Sequence, residues 1–169
     1  VEPRENRWWV VARFNEPAIS IDSLDPSAAP RWLMLEGVRD PGNLGNALRT
    51  AEAVGAGGVI LVGECCDPYA IETVRATTGS IFAVPIYRTT LEGARALLGR
   101  WPGATVAAMP RGKSPYDTID YKTPALLVIG AEREGLSDAL AESCTAAACI
   151  PMVGRTESLN LATAAALML

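Results

Sequence analysis

Residues 35–61, LEGVRDPGNLGNALRTAEAVGAGGVIL, decide the fold, because they join two apolar runs through a turn and an amphipathic segment. Five apolar residues in this segment recur at the i, i+3, i+4, i+7 spacing of a helix with one buried face: Leu44, Ala47, Leu48, Ala51 and Val54. The pattern stops at Gly55, a residue type that commonly ends helices. The stretch therefore predicts a strand, a turn, one helix of about three turns and a second strand.

Apolar runs alternate with helical patterns along the rest of the chain. Six runs are predicted to be strands, at residues 32–35, 59–62, 81–86, 105–109, 126–129 and 147–150. Further helices are predicted at 91–98, 137–144 and 158–169, the last with Ser158 at its start. Strands that alternate with helices indicate an α/β fold, a mostly parallel sheet with helices on both faces.

The two ends of the chain differ from this predicted domain, which covers residues 31–169. Residues 1–30 combine a short predicted strand at 8–11 with a stretch rich in Pro, Ser and Asp. We expect them to be an N-terminal extension or the tail of a domain absent from this chain. The last helix reaches Leu169 without a polar turn or cap, so we expect the natural chain to continue.

The composition is that of a globular protein, with 169 residues, 49% of them hydrophobic, and a net charge of −4. The apolar runs are shorter than the roughly 20 residues of a membrane span, and the N-terminus lacks the apolar core of a signal peptide. We therefore expect a soluble, cytoplasmic protein with no membrane partner. An apolar content this high also argues against disorder.

The absence of histidine excludes Ser-His-Asp and Cys-His nucleophiles and most transition-metal sites. The cysteines match neither a disulfide framework nor a zinc spacing, so we expect reduced thiols and no bound metal. All basic residues except Lys113 and Lys122 are arginines, which suit bidentate phosphate contact. Since the net acidity argues against non-specific coating of nucleic acid, the placement of the arginines matters most.

Three loops after predicted strands carry unusual polar residues, at 36–49, 130–136 and 151–160. Ligands bind at the carboxyl ends of strands in parallel α/β sheets, so these loops are the candidate site. In the first loop, Asn43 opens a helix whose early N–H groups suit an anion, and Arg49 lies where it could meet a phosphate or ribose. A tight turn with a surface arginine fits this spacing equally well.

The other two loops are ambiguous when taken alone. Glu132 follows Gly130 on a turn where glycine permits close approach of a ligand, although a solvated acidic turn is the default interpretation. Asn160 and Ser158 lie near the start of the last helix, where Ser158 is most simply the N-cap. None of the loops carries a dinucleotide or Walker sequence, which disfavours nicotinamide and nucleoside triphosphate binding.

Taken together, the loops resemble the three motifs of the SpoU (TrmH-type) RNA 2′-O-ribose methyltransferases, a branch of the SPOUT superfamily. The first motif is LEGVRDPGNLGNALRTAEAVGAGGVIL, the second LLVIGAEREGLS and the third CIPMVGRTESLNLATAAA. The segment VRATTGSIFAVPI also resembles the family's stretch after the second strand. The match runs from about Trp32 to the C-terminus, and three motifs in the family's order are far more specific than one.

The resemblance implies a domain whose C-terminal segment is threaded into a deep trefoil knot, a rare exception among folds. It also implies that S-adenosylmethionine binds in this knot, largely to backbone of the second and third motifs. The corresponding cofactor-binding positions are Gly130, Glu132, Ile150, Met152 and Leu159. Members of the family are homodimers whose active site is completed across the interface, so a homodimer is expected here.

The family's functional polar residues correspond to Asn43, Arg49, Glu132, Ser158 and Asn160. The chemistry implied is attack of a ribose 2′-hydroxyl on a sulfonium methyl group, for which the protein orients the two and helps the hydroxyl lose its proton. A guanidinium with a pKa above about 12 is a poor base. We therefore expect Arg49 to hold the ribose and its phosphate and stabilise alkoxide charge, with an RNA phosphate or water accepting the proton.

The other polar residues have supporting roles in this scheme, in which Ser158 and Asn160 hold the arginine and substrate and Glu132 organises the loops. Four arginines in the motif loops are expected to bind RNA: Arg39, Arg49, Arg133 and Arg155.

These expectations favour ribose methylation of a structured RNA, with rRNA favoured over tRNA. Residues 1–30 would then be an extension or the remnant of an absent RNA-binding domain. A non-catalytic knotted RNA-binding or assembly module is one alternative, disfavoured because all five polar positions are intact. A base methyltransferase of the same superfamily is another, disfavoured by Arg49 and the Ser-Leu-Asn of residues 158–160.

Overall fold

The computed structural model describes residues 19–156 and 158–169 and contains a seven-stranded sheet. The strands are β1 (Arg31–Glu36), β2 (Val59–Val62), β3 (Ile86–Thr89), β4 (Thr105–Ala108), β5 (Ser114–Pro115), β6 (Ala125–Gly130) and β7 (Ala146–Cys149). Their order across the sheet is β3-β2-β1-β6-β4-β7-β5, and all adjacent pairs are parallel. The predicted α/β class is confirmed.

Helices cover both faces of the sheet, as parallel strands that are buried on both sides require. They are α1 (Pro41–Ala53), α2 (Ile71–Thr77), α3 (Leu91–Gly99), α4 (Asp138–Ala141) and α5 (Leu161–Met168). Because side chains alternate along a strand, Leu33 and Leu35 of β1 join the core under α1 and α5. Trp32 and Met34 join the second core, under α3 and α4.

Helix α1 has well-defined caps at both ends. The Asp40 carboxylate accepts a hydrogen bond from the Asn43 N–H at 2.7 Å, and Pro41 occupies the first turn. At the other end Gly55 has a φ of 67°, and the Ala56 N–H donates to the Ala51 carbonyl at 2.9 Å. This is the Schellman arrangement, so the predicted glycine terminus of the helix is confirmed.

The strand predicted at 81–86 is wrong in position. Ser80–Phe82 form a 3-10 turn, and β3 begins only at Ile86. Helix α2 ends in a left-handed turn at Thr78 and Gly79, whose φ angles are 49° and 105°, and the 3-10 turn follows directly. Ile81 and Val84 are nevertheless buried, so apolar character there reflects packing of a turn rather than a strand.

The start predicted for the last helix is also wrong. Asn160 is the N-cap of α5, because its Oδ1 accepts from the N–H groups of Ala162 at 2.9 Å and Thr163 at 3.3 Å. Ser158 lies outside the helix and is exposed. The helix predicted at 137–144 is shorter in the structure, where it is α4, while α2 and the two-residue β5 were not predicted.

The remaining expectations concern the chain ends and topology. The predicted strand at 8–11 lies outside the described residues, whereas residues 19–30 contain two 3-10 turns, and the Trp32 Nε1–H donates to the Pro26 carbonyl at 3.0 Å. The domain division at residue 30 stays a prediction. The knot also stays a prediction, because the order of strands in a sheet does not show whether the chain passes through a loop. No helix in the described part is long and apolar enough to cross a membrane.

Candidate active site

The three polar loops meet at one edge of the sheet because they follow β1, β6 and β7, which are all parallel. The loop after β1 leads into α1, the loop after β6 into α4 and the loop after β7 into α5. Strand register places Glu36 opposite Gly130, so the first two loops leave the sheet side by side. The topology of the sheet therefore brings together loops that are far apart in sequence.

Asn43 links all three loops through its side-chain amide. Its Nδ2 donates to the Glu132 carboxylate of the second loop, and its Oδ1 accepts from Asn160 Nδ2 at 2.7 Å. The same Asn160 side chain caps α5 through its oxygen. Only one orientation of the Asn43 amide lets its N–H group donate to Glu132 while its oxygen accepts from Asn160. The network therefore fixes these polar residues relative to one another.

The loop between β6 and α4 is held in shape at both ends. The Glu36 carboxylate accepts from the Ser137 N–H at 2.8 Å, and Ala131 and Gly135 form an isolated antiparallel bridge. A Cβ on Gly130 would lie 2.1 Å from backbone atoms of Gly135 and Leu136. Only glycine allows the chain to double back this closely, and the loop is therefore a rigid wall.

A cleft of about 690 Å³, including its open mouth, lies beside this network. Its walls come from the segment after β4, the loop after β6 and the start of α5, and most are apolar or backbone. Representative lining residues are Met109, Pro110, Gly130, Glu132, Leu136, Ile150, Met152, Ser158, Leu159 and Leu161. An apolar cleft edged by a few polar side chains is typical of a small-molecule site.

The predicted cofactor residues are brought together, since Gly130, Glu132, Ile150, Met152 and Leu159 all line this cleft. The backbone N–H groups of Met152 and Leu159 donate to no acceptor among the described residues. Their functional assignment stays a prediction.

The predicted catalytic residues fall into two groups. Asn43, Glu132 and Asn160 form the network, and Ser158 lines the cleft beside them. Arg49 is exposed on α1, is not among the residues that line the cleft, and makes no hydrogen bond or ion pair within the described chain.

The other predicted RNA-binding arginines are all exposed. Arg39 lies 3.9 Å from Glu64, an ion pair too exposed to hold either side chain firmly. Arg133 and Arg155 lie in the second and third loops. The structure thus puts these cations around the cleft edge of the sheet.

Sequence reasoning missed Glu36 and the segment at Met109 and Pro110. Glu36 carries no local signal, because its partner Ser137 is 101 positions away. Met109 and Pro110 follow β4, and the rule that ligands bind after parallel strands would have included them.

All four cysteines are free, as expected from their spacing. Burial raises the pKa of the Cys65 and Cys66 thiols, and it raises the pKa of Cys144 to about 12. Thiols held neutral in this way are poor nucleophiles. They give no support to cysteine-based catalysis.

Comparison with known proteins agrees with this geometry. Residues 30–169 match the sequence profile described as the SpoU rRNA Methylase family. The 23S rRNA (uridine(2479)-2′-O)-methyltransferase of Streptomyces viridochromogenes is 35% identical over 167 residues, covering 95% of this chain and 58% of that protein. The 23S rRNA (guanosine(2553)-2′-O)-methyltransferase of Bacillus subtilis is 32% identical over 142 residues, covering 84% and 57%.

Solved structures show the same likeness. The AdoMet-bound rRNA methyltransferase from Sinorhizobium meliloti superposes with a TM-score of 0.86 and 45% identity, covering 92% of this chain and 60% of that one. The chain spans a little over half the length of these two curated methyltransferases.

Proposed function

Because the chain belongs to the SpoU rRNA methylase family, we propose that it transfers a methyl group from S-adenosylmethionine to a ribose 2′-hydroxyl of rRNA. The observation that carries this proposal is the meeting of three loops through Asn43, beside an apolar cleft. The named relatives that act on 23S rRNA support rRNA over tRNA.

The cleft fits the proposed cofactor in chemistry. Its apolar walls at Ile150 and Leu136 suit a planar adenine, and the N–H groups of Met152 and Leu159, which donate to no described residue, suit the polar edge of such a ring. Gly130 lets the backbone form this wall. The AdoMet bound to the Sinorhizobium meliloti relative supports the same assignment. When bound, the cofactor supplies an electrophilic sulfonium methyl group.

The protein's own part in the reaction is to position the ribose and stabilise negative charge. Asn43 and Asn160 hold each other in fixed orientation, which leaves the Glu132 carboxylate oriented at the edge of the cleft. Arg49 binds the target ribose and its adjoining phosphate and stabilises charge that develops on the 2′-oxygen. A guanidinium is a poor base, so an RNA phosphate or water accepts the hydroxyl proton.

The exposed position of Arg49 supports a homodimer in which the active site is shared. Within one chain this arginine does not line the cleft. We infer that Arg49 of the partner subunit reaches the cleft across a two-fold axis, where each subunit completes the site of the other. An rRNA substrate supports a cytoplasmic location for the proposed activity.

Two measurements on the same preparation test the proposal. Calorimetric titration with S-adenosylhomocysteine is expected to show micromolar binding. Labelled methyl transfer into unmodified 23S rRNA transcript is then expected, and the product nucleotide must resist alkaline cleavage, because a 2′-O-methyl group blocks attack on the adjoining phosphodiester. Label in an alkali-sensitive nucleotide would indicate base methylation instead. Absence of S-adenosylhomocysteine binding by the folded protein would favour a non-catalytic RNA-binding module.

A further inference from the structure

The segment after β4 forms a tight turn that presents two cations, Arg111 and Lys113. The Gly112 N–H donates to the Met109 carbonyl at 3.0 Å, which makes Pro110 and Arg111 the central residues of a β-turn. Proline fixes φ at the first of these positions. The turn is therefore rigid by its own sequence.

The turn is also fixed to the sheet. The Met109 N–H donates to the Ala148 carbonyl of β7 at 2.9 Å. A Cβ on Gly112 would lie 2.3 Å from the Ala148 carbonyl carbon, so glycine is required for this approach. Lys113 is followed at once by β5, whose Ser114 pairs with Ala148. The backbone that carries both cations is thus held on each side.

The position of the turn relates it to the active site. Met109 and Pro110 line the same cleft as Glu132 and Ser158. Arg111 follows Pro110 directly, so its backbone lies at the rim of the cleft. A substrate bound at this side of the cleft would lie close to this long side chain.

Neither cation has a partner among the residues that the structure describes. Arg111 and Lys113 are both exposed, and neither forms a hydrogen bond or ion pair with any of those residues. In a chain with a net charge of −4, two unpaired cations on a rigid turn beside the site are a local excess of positive charge.

We propose that Arg111 and Lys113 bind backbone phosphates of the RNA next to the target ribose, and so dock the nucleotide at the cleft. This inference rests on the proposed function and adds an RNA contact outside the three motif loops. Residues two positions apart are separated by at most about 7 Å, so the pair can engage neighbouring phosphates of one strand. Rigid presentation lowers the entropic cost of binding.

The test compares the wild type with the double variant Arg111→Ala/Lys113→Ala. Arg100→Ala/Lys122→Ala is the matched control, because it removes the same charge from exposed residues that precede β4 and β6, at the opposite edge of the sheet. Filter binding to unmodified 23S rRNA transcript is measured between about 50 and 200 mM salt. S-adenosylhomocysteine affinity is measured by calorimetry on the same proteins.

The double variant is expected to bind RNA about tenfold more weakly than the control. Its log–log salt slope should fall by about 1.4 to 1.8, the value for two lost phosphate contacts. In methyl transfer, KM for RNA should rise while kcat and S-adenosylhomocysteine affinity stay unchanged. Such a result would distinguish RNA docking from a merely structural role.

Two outcomes would overturn the inference. Equal RNA affinity and salt slope in the double variant and its control would show that the turn does not contact phosphate, even though wild-type methyl transfer persists. Loss of S-adenosylhomocysteine affinity in the double variant would assign the cations to the cofactor carboxylate instead. Failure of the proposed function differs from both, since the wild type would then neither bind S-adenosylhomocysteine nor methylate RNA.

Discussion

The Glu36 carboxylate accepts a hydrogen bond from the backbone N–H of Ser137 at 2.8 Å, across 101 positions of sequence. Glu36 is the last residue of β1, and Ser137 is the N-cap of α4. The contact therefore ties the end of the cleft-lining loop to the neighbouring strand. It is a charge-assisted bond to a half-buried group, the stronger class of hydrogen bond.

Replacing Glu36 by Ala is expected to weaken S-adenosylhomocysteine binding several-fold, because the loop loses its anchor. The free energy of unfolding should fall by about 1 to 3 kcal/mol, the cost of leaving such a donor without its partner. Glu36→Gln keeps an acceptor and should lose less of both. Calorimetry and urea unfolding measure the two effects; equal affinity in Glu36→Ala and the wild type would show that the loop needs no anchor.

Gly130→Ala is expected to abolish cofactor binding and to lower stability by several kcal/mol, because the new Cβ would lie 2.1 Å from backbone that cannot move away. Gly99→Ala is the control, because this glycine is the last residue of α3 and a Cβ there would have no neighbouring atom within 4 Å. It should be neutral or stabilising by up to about 1 kcal/mol. Thermal unfolding and S-adenosylhomocysteine titration report both, and tolerance of Gly130→Ala would refute the rigid-wall interpretation.

The two functions of Asn160 can be separated by substitution. Asn160→Asp keeps the oxygen that caps α5 but loses the amide that donates to Asn43. We expect nearly wild-type stability and a large loss of methyl transfer. Asn160→Ala loses both functions and should also be destabilised by about 1 kcal/mol. Full activity of a well-folded Asn160→Asp protein would mean that the network is not needed for turnover.

Arg49→Ala is expected to lower kcat by about 10²–10³, the usual effect of removing one group that stabilises a charged transition state. S-adenosylhomocysteine affinity should change little, since Arg49 is assigned to the target ribose and its phosphate and does not line the cleft of its own chain. Near-normal turnover at saturating cofactor and RNA would contradict the assignment.

Subunit mixing tests whether Arg49 acts across the dimer. Arg49→Ala and Asn160→Asp chains, each inactive alone, should together recover about a quarter of wild-type activity if each site uses Arg49 of the partner subunit. If Arg49 acts within its own chain, every site in the mixture carries a lesion and no activity returns.

The Cys144 thiol predicts the pH dependence of stability. Its pKa is raised by burial from 9.0 to about 12, so the folded state favours the protonated thiol. The stabilisation that comes from keeping this thiol neutral is fully present below pH 9, the pKa of the thiol in the unfolded chain. It is lost as the pH rises towards 12, the pKa in the folded protein. Cys144→Ala should flatten the alkaline limb of a plot of unfolding free energy against pH. An identical limb in this variant would assign the decline to other groups.

How much the sequence could predict depended on whether the signal was local. The stripe from Leu44 to Val54 predicted α1 and its end at Gly55, because helical periodicity and a glycine terminus are local properties. The segment with Ile81 and Val84 misled the strand prediction, because burial in a turn gives the same apolar pattern as a strand. Ser158 misled the cap prediction because Asn160, two residues later, makes both cap hydrogen bonds.

The candidate site followed the same division. The motif residues were identified one by one, but local pattern could not show that Asn43 joins Glu132 and Asn160, which lie 89 and 117 positions away. Similarly, nothing near Glu36 points to Ser137. Contacts between residues so far apart in sequence depend on which strands are neighbours in the sheet, and local sequence patterns do not reveal that order.

The long sequence separation between Asn43 and its two partners also bears on the synthesis and folding of the protein. During synthesis, Asn43 and Glu132 leave the ribosome before Asn160, so the network cannot close until the start of the last helix has emerged. Partly made chains that lack Asn160 therefore contain no complete network, and folding dominated by such distant contacts is slow. A ligand that binds the finished cleft would stabilise only chains that have completed the fold, so its binding would favour the fully folded state.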